Sequence, residues 1–268
     1  MKIVTLVENT SSSKELKHKH GLSFYIKTEN HKLLFDLGPD ETFLENAKKL
    51  KIDISKVDTV IISHGHSDHG GGLNAFLENN SIAKIYINKN AFKDLYVKVL
   101  GIKKYIGLNM ELKSNERIVL VDDTFKIDDE LFIFSDVEGS FKTKSNSVLL
   151  KEDGMEDDFI HEQNLIITED DKNVLLTGCS HRGIANILKA ALTHVSNIDT
   201  VIGGFHLFSP SNKMTEPSEV VENLARELIN TSPNFYTCHC TGEKAFENMK
   251  KIMGNRLNYM ATGDILSI

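Results

Sequence analysis

The sequence predicts an α/β protein in which two mixed β-sheets are flanked by helices, an αββα sandwich formed as one domain over residues 1–268. Three observations predict it. The first half of the chain is rich in short apolar or alternating runs between turn residues. The last third turns to a helix–strand rhythm. Residues able to do chemistry fall where the strands should end, the usual place for a site on loops held by a rigid sheet.

In chain order, Lys2–Val7, Leu22–Thr28 and Lys32–Asp36 read as strands. Glu41–Leu50 places Phe43, Leu44, Ala47 and Leu50 at helical spacing. Val57–Ser63 is a buried-type strand running into a histidine cluster, followed by a helix at Leu73–Leu77 and a strand at Lys84–Ile87. Residues 91–116 mix apolar and lysine residues and suit a helical insertion or lid. Strands return at Arg117–Val121, Leu131–Ser135, Asn164–Thr168 and Asn173–Thr177. The helices Gly183–His194, Glu216–Ile229 and Glu243–Ile252 then precede strands Thr200–Ile202, Phe235–Thr237 and Asn258–Met260. Thr215 stands as N-cap of the second helix, with Pro217 in its first turn.

Composition narrows the class. The chain has 268 residues, 40% apolar and 26% charged, and a formal net charge of −7, with no basic patch of the kind that grips nucleic acid. Its apolar runs are strand-sized, far short of a membrane span. The opening Met1–Val7 is too short for a signal peptide and reads as a first strand. Cys179, Cys238 and Cys240 form neither an even framework nor a CxxC pair, so a reducing cytoplasm is the expected compartment. A homodimer stands as the candidate assembly.

The most informative stretch is Ser63-His64-Gly65-His66-Ser67-Asp68-His69-Gly70-Gly71-Gly72. Imidazole and carboxylate together suit zinc, iron or manganese. In an extended loop alternate residues point the same way, so His64 and His66 can grip one ion while Asp68 and His69 turn towards a second. The glycines leave room for the backbone to bend and for a helix to begin. A polar loop whose histidines merely satisfy hydrogen bonds is the plainer alternative, and the buried strand before it and the glycines after it weigh against that.

This HxHxDH pattern resembles the signature of the metallo-β-lactamase superfamily, and the resemblance extends along most of the chain. It implies the metallo-β-lactamase sandwich and two divalent ions, zinc foremost, with manganese or iron as alternatives. Leu33-Leu34-Phe35-Asp36-Leu37-Gly38 is similar to the superfamily's first motif, whose aspartate steadies the metal loop by holding an imidazole N–H, with a simple turn cap as the plainer alternative for Asp36. Leu175-Leu176-Thr177-Gly178-Cys179 matches a segment that normally ends in a metal-bridging aspartate. The sequence departs there: Cys179 is a thiolate ligand, a nearby nucleophile or an apolar filler. Where the superfamily supplies another histidine, the chain has His161-Glu162. His161 is ligand or surface residue, beside an acidic segment Glu156–Asp158 expected to be exposed, and Glu162 is a candidate oxygen ligand, base or substrate contact. By order of elements His239 stands as the last metal ligand, and His206 as a substrate contact or alternative ligand. Strand alternation puts Cys238 and Cys240 on the face opposite His239, as core residues.

Gly21-Leu22-Ser23, Gly178–Gly183, Gly203–Leu207 and His239–Gly242 together resemble one branch, the dihydropteroate-synthase-like branch of the 7,8-dihydropterin-6-methyl-4-(β-D-ribofuranosyl)-aminobenzene-5′-phosphate synthases. The resemblance implies a small phosphorylated substrate and a reaction joining a dihydropterin pyrophosphate to an aminobenzene ribotide, with loss of pyrophosphate. Asp68 and His181 are the candidate catalytic residues. Arg182, at a helix start, is a candidate phosphate contact or a surface charge. His20 is a further substrate contact, and His18 belongs to a flexible polar segment, Ser11–Lys19. Two other readings remain: a metal-dependent phosphoester, lactone or thioester hydrolase, or a non-catalytic metal-dependent ligand sensor. A nuclease fits poorly with the acidic balance.

Overall fold

A computed structural model describes residues 1–211 and 213–268. The chain divides into two units, Met1–Lys93 with Ile106–Asp122 and Met260–Ile268, and Asp94–Tyr105 with Asp123–Tyr259.

The first unit is built on a seven-stranded sheet in the order Ile265–Ser267, Lys2–Val7, Ser23–Lys27, Lys32–Phe35, Thr59–Ile62, Lys84–Asn88, Ile118–Val121. The first four strands pair antiparallel and the remainder parallel. Thr59–Ile62 is buried along its whole length, as a central parallel strand must be. Helix Thr42–Lys49 buries Phe43 and Ala47 and carries Glu45 in its first turn and Lys48 and Lys49 in its last, a distribution that suits its dipole. Asn46 pins it: the buried amide donates to the carbonyls of Leu6 and Lys17, both at 2.7 Å, and accepts from the Lys17 amide at 3.0 Å. The segment Ser11–Lys19, expected to be loose, is therefore tied down, and it also bridges to Thr262.

The second unit holds a seven-stranded sheet in the order Leu257–Tyr259, Asn234–Thr237, Thr200–Gly203, Lys172–Leu176, Asn164–Glu169, Leu131–Phe134, Thr124–Lys126. Its first four strands are parallel and the rest antiparallel. Parallel neighbours need crossovers, and helices Ile184–His194, Ser218–Ile229 and Glu243–Met253 supply them. Their apolar faces form one cluster with the sheet, around Phe134, Leu175, Ile187, Phe205, Leu228 and Phe235.

Two further local expectations are overturned. Residues 91–116 are not helical: Leu95–Val99 and Ile102–Tyr105 form a hairpin that pairs with Leu149–Lys151, followed by a single 3-10 turn at Met110–Ser114. The alternation Tyr96, Lys98 against Val97, Val99 is a period of two, overshadowed in the sequence by the lysines. Thr215 is not the cap of helix Ser218–Ile229; it pairs in a short strand with Phe208, and Pro217 is the capping residue. Among the described residues no helix is long and apolar enough to cross a membrane.

Candidate metal centre

In the first unit, strand Thr59–Ile62 ends at Ser63 and His64, and His66 precedes a single helical turn, Ser67–Gly70. The loop is held tightly. The Ser67 amide donates to the Ile106 carbonyl at 2.7 Å, and a Cβ on Gly71 would stand 2.2 Å from the Pro39 carbonyl oxygen and 2.4 Å from that of Ser67. Only glycine fits that position. The three imidazoles converge, with ring centroids 4.6 Å apart for His64 and His66 and 4.1 Å for His64 and His69.

Asp36 follows strand Lys32–Phe35 in a left-handed conformation, φ 61°, and is wholly buried. Its Oδ1 accepts from the Ser63 amide at 2.7 Å, and its Oδ2 accepts from the Ser63 hydroxyl at 2.7 Å and from His69 Nδ1 at 2.6 Å. The proton order follows. A carboxylate only accepts, so His69 carries its proton on Nδ1 and presents the Nε2 lone pair. The Ser63 hydroxyl spends its one proton on Asp36, so at its 2.9 Å contact with His64 Nδ1 it accepts, and His64 too presents Nε2. In their neutral form both imidazoles, oriented by one carboxylate, would offer Nε2 to a divalent ion. Asp68 lies beside them, its Oδ2 3.7 Å from His69 Nε2 and 3.2 Å from Nε2 of the exposed His20.

In the second unit, strand Lys172–Leu176 runs out through Thr177 and Gly178 to Cys179, which is buried. The following loop is fixed by Glu162, whose two oxygens accept from the amides of His181 at 2.6 Å and Arg182 at 3.0 Å. Burial pushes the Glu162 carboxyl above its ordinary range, against the pull of those amides. With each oxygen accepting from a backbone amide, Glu162 clamps the loop that carries His181 and Arg182. The Arg182 amide is likewise taken, and its guanidinium donates to the carbonyls of Val137 and Gly139.

His181 is buried, stacked on Phe159 with centroids 4.4 Å apart and planes 3° apart, and its centroid is 4.1 Å from that of His206. The Asn146 side-chain amide donates to the carbonyls of Phe141 and His181, so its oxygen accepts from His181 Nδ1 at 2.9 Å. His181 therefore also presents an Nε2 lone pair. A cavity of about 460 Å³ lies here, lined by Phe141, Lys142, Lys144, Phe159, His181 and Arg182, and by the acidic run Glu156–Asp158. That run is not uniformly exposed: Asp157 is buried and bonded to the equally buried His161 at 3.0 Å, so His161 is no surface residue.

His206 and His239 lie on loops after strands Thr200–Gly203 and Asn234–Thr237, both buried. Asp36, Ser180, His206 and His239 all have positive φ, between 47° and 61°. Each such residue costs of order 1–3 kcal/mol, and such strain gathers at functional loops. The placement of Cys240 departs from expectation. Strand pairing ends at Thr237 and His239–Thr241 form a 3-10 turn, so alternation does not apply beyond the strand. Cys240 is buried, but its sulfur reaches the Cys179 carbonyl at 3.5 Å, and the donor atoms of Cys179, His206 and Cys240 lie within 4.8 Å of one another. No sequence signal short of the turn could have placed it there.

Comparison with known proteins agrees with this geometry. The metallo-β-lactamase superfamily model matches residues 18–147. An uncharacterized protein of Methanocaldococcus jannaschii is 29% identical over 99% of this chain and 100% of its own length. The 7,8-dihydropterin-6-methyl-4-(β-D-ribofuranosyl)-aminobenzene-5′-phosphate synthase of the same organism is 30% identical over 93% of this chain and 90% of its own. Among solved structures, Tm1679, described as a metal-dependent hydrolase of the β-lactamase superfamily, is similar with a TM-score of 0.82 and 28% identity, over 100% of this chain and 99% of that one. With its histidine loop, its fold and these relatives in agreement, the chain belongs to the metallo-β-lactamase superfamily, in the branch of the dihydropterin-aminobenzene phosphate synthases.

Proposed function

We propose that this protein is a metal-dependent enzyme acting on a small phosphorylated substrate, joining a dihydropterin pyrophosphate to an aminobenzene ribotide with loss of pyrophosphate. The observation that carries the metal dependence is the pair of tautomers set by Asp36 and Ser63, which turns His64 and His69 into neutral nitrogen donors beside Asp68. The ligand set we propose is His64, His66, Asp68, His69, Cys179 and His239 for two divalent ions, most simply zinc, with iron or manganese compatible with the nitrogen and oxygen donors. When bound, such ions supply charge to neutralise the phosphates of a leaving pyrophosphate.

The chain's own residues do the remainder. Phe141, Phe159 and His181 give the cavity flat faces for a heterocycle, Lys142, Lys144 and Arg182 give it charge for a phosphate, and the carboxylates of Glu156 and Asp158 can accept from ring N–H groups. Its volume is in the range of small-molecule sites. His181 is the proposed base: with Nδ1 bonded to Asn146, Nε2 can take the proton that the attacking amine or ring loses as the new bond forms. His206, on the next loop, is a substrate contact or ligand, and His20 steadies Asp68 from the exposed side.

The likeness to a hydrolase supports a second reading, in which water takes the place of the aminobenzene acceptor. Pyrophosphate release measured with and without the acceptor separates them. Release that requires the acceptor, with the coupled product seen by mass spectrometry, is expected. Equal release without it makes the protein a hydrolase. Tight binding of the pterin with no turnover makes it a sensor, and overturns the enzymatic reading.

A further inference from the structure

Within the second unit, three strand-end loops bring two thiols and an imidazole together. Cys179 follows strand Lys172–Leu176, His206 follows Thr200–Gly203, and Cys240 sits in the turn after Asn234–Thr237. All three are more than nine-tenths buried, with 3%, 6% and 2% exposure. Neither ring nitrogen of His206 meets the geometry of a hydrogen bond, an uncommon state for a buried imidazole.

The backbone is shaped around this cluster. A Cβ on Gly204 would stand 2.4 Å from the Cys240 sulfur, so that sulfur occupies the space a side chain at 204 would need. The Ser180 hydroxyl donates to the Gly204 carbonyl at 2.6 Å, and the Gly204 amide donates to the Gly178 carbonyl at 2.8 Å, which ties the Cys179 loop to the His206 loop. The Thr241 hydroxyl accepts from the Phe205 amide at 2.8 Å, which ties the His206 loop to that of Cys240.

We propose that Cys179, His206 and Cys240 form a binding site for a thiophilic divalent cation of the zinc class, complete within this unit and additional to the donors of the histidine loop. The proposal shares with the preceding section the reading of Cys179 as a ligand, but does not need the histidine loop to bind. The donor atoms already lie within 4.8 Å of one another. Around a tetrahedral zinc ion, with bonds of about 2.3 Å to sulfur and about 2.0–2.1 Å to nitrogen, donors stand roughly 3.5–3.8 Å apart. Side-chain rotations of modest size close that difference. Two thiolates neutralise the ion, so the burial that would penalise a bare charge instead favours the assembled site. Three protein ligands of this kind leave a fourth position for a donor atom of a bound small molecule.

The test uses the full chain, reduced, stripped with chelator and titrated with cobalt(II), then with zinc. Wild type is expected to develop the near-ultraviolet thiolate-to-cobalt band, and zinc to abolish it. Cys240→Ser should lower that band to about half, one of two thiolates being lost. His206→Asn should keep the band but weaken cobalt affinity at least about tenfold, the scale seen even for partners outside the ligand set. As a check that does not depend on a serine variant folding, zinc should protect Cys179 and Cys240 of wild type, but not Cys238, against alkylation. A His64→Asn/His66→Asn protein should bind fewer ions yet retain the band. If it binds as many ions as wild type, the histidine-loop reading fails and this one stands. No thiolate band in wild type, a band untouched by Cys240→Ser, or a Cys179–Cys240 disulfide that takes up no cation after reduction overturns the proposal.

Discussion

Asp36 bears on two imidazoles at once, on His69 directly and on His64 through the Ser63 hydroxyl. Asp36→Asn keeps the shape but introduces a donor where both partners donate. It should weaken metal affinity by about 10–100-fold, the range for such supporting carboxylates, with little change in far-ultraviolet circular dichroism. Removing a positioned base typically costs about 10²–10⁴-fold in rate, so His181→Ala should lower kcat by that order, with weaker pterin binding because one flat face of the cavity is lost. Metal content per chain should stay constant in that variant; a fall would make His181 a ligand instead.

Glu162 yields a prediction with a sign. Its folded pKa is raised by burial above the ordinary carboxylate value, so its contribution to stability is complete below that ordinary value and is lost as pH rises through the folded one. Glu162→Ala orphans two amides, at about 1–3 kcal/mol each. The gap in denaturant midpoint between wild type and variant should therefore be widest in acid and narrow towards neutral pH. A gap that widens with pH would show that the amides, not burial, govern this carboxylate.

At the scale of elements, the histidine loop depends on close backbone approach more than on propensity. Gly71→Ala adds one methyl group against two carbonyl oxygens that belong to backbone and cannot rotate away. Overpacking of this kind costs about 1–3 kcal/mol, and metal uptake should fall with it even though no ligand is altered. The elements around the loop were legible because their patterns are regular: the buried strand before the histidines, the paired strands 23–27 and 32–35, and the three crossover helices of the last third. The hairpin within 91–116 was not legible, since only Leu95–Val99 alternates between buried and more exposed positions and all four residues of Ile102–Tyr105 are exposed.

For the molecule as a whole, the metal reading has a thermodynamic consequence. An ion that binds only the folded chain stabilises it by RT ln(1 + [L]/Kd), about 2.7 kcal/mol at a hundredfold excess over Kd. Chelator should lower the melting temperature, added zinc should restore it in a concentration-dependent way, and the Asp36→Asn protein should need more zinc for the same recovery. A melting temperature indifferent to chelator and zinc alike would count against any resident ion.

The fold class and the histidine loop could be read from the chain alone, because both are encoded locally: strands and helices by periodicity, and the His64–His69 donors by spacing within one loop. The roles of Ser63, Glu162, Asn146 and Cys240 could not. Each depends on a hydrogen bond or approach between residues far apart in sequence: Asp36 to Ser63, Glu162 to the amides of 181 and 182, Asn146 to His181, and Cys240 to Cys179 and His206. Tautomers, clamped loops and shared thiols are properties of three-dimensional neighbours, and only the folding of each unit's strand ends against one another makes those residues neighbours.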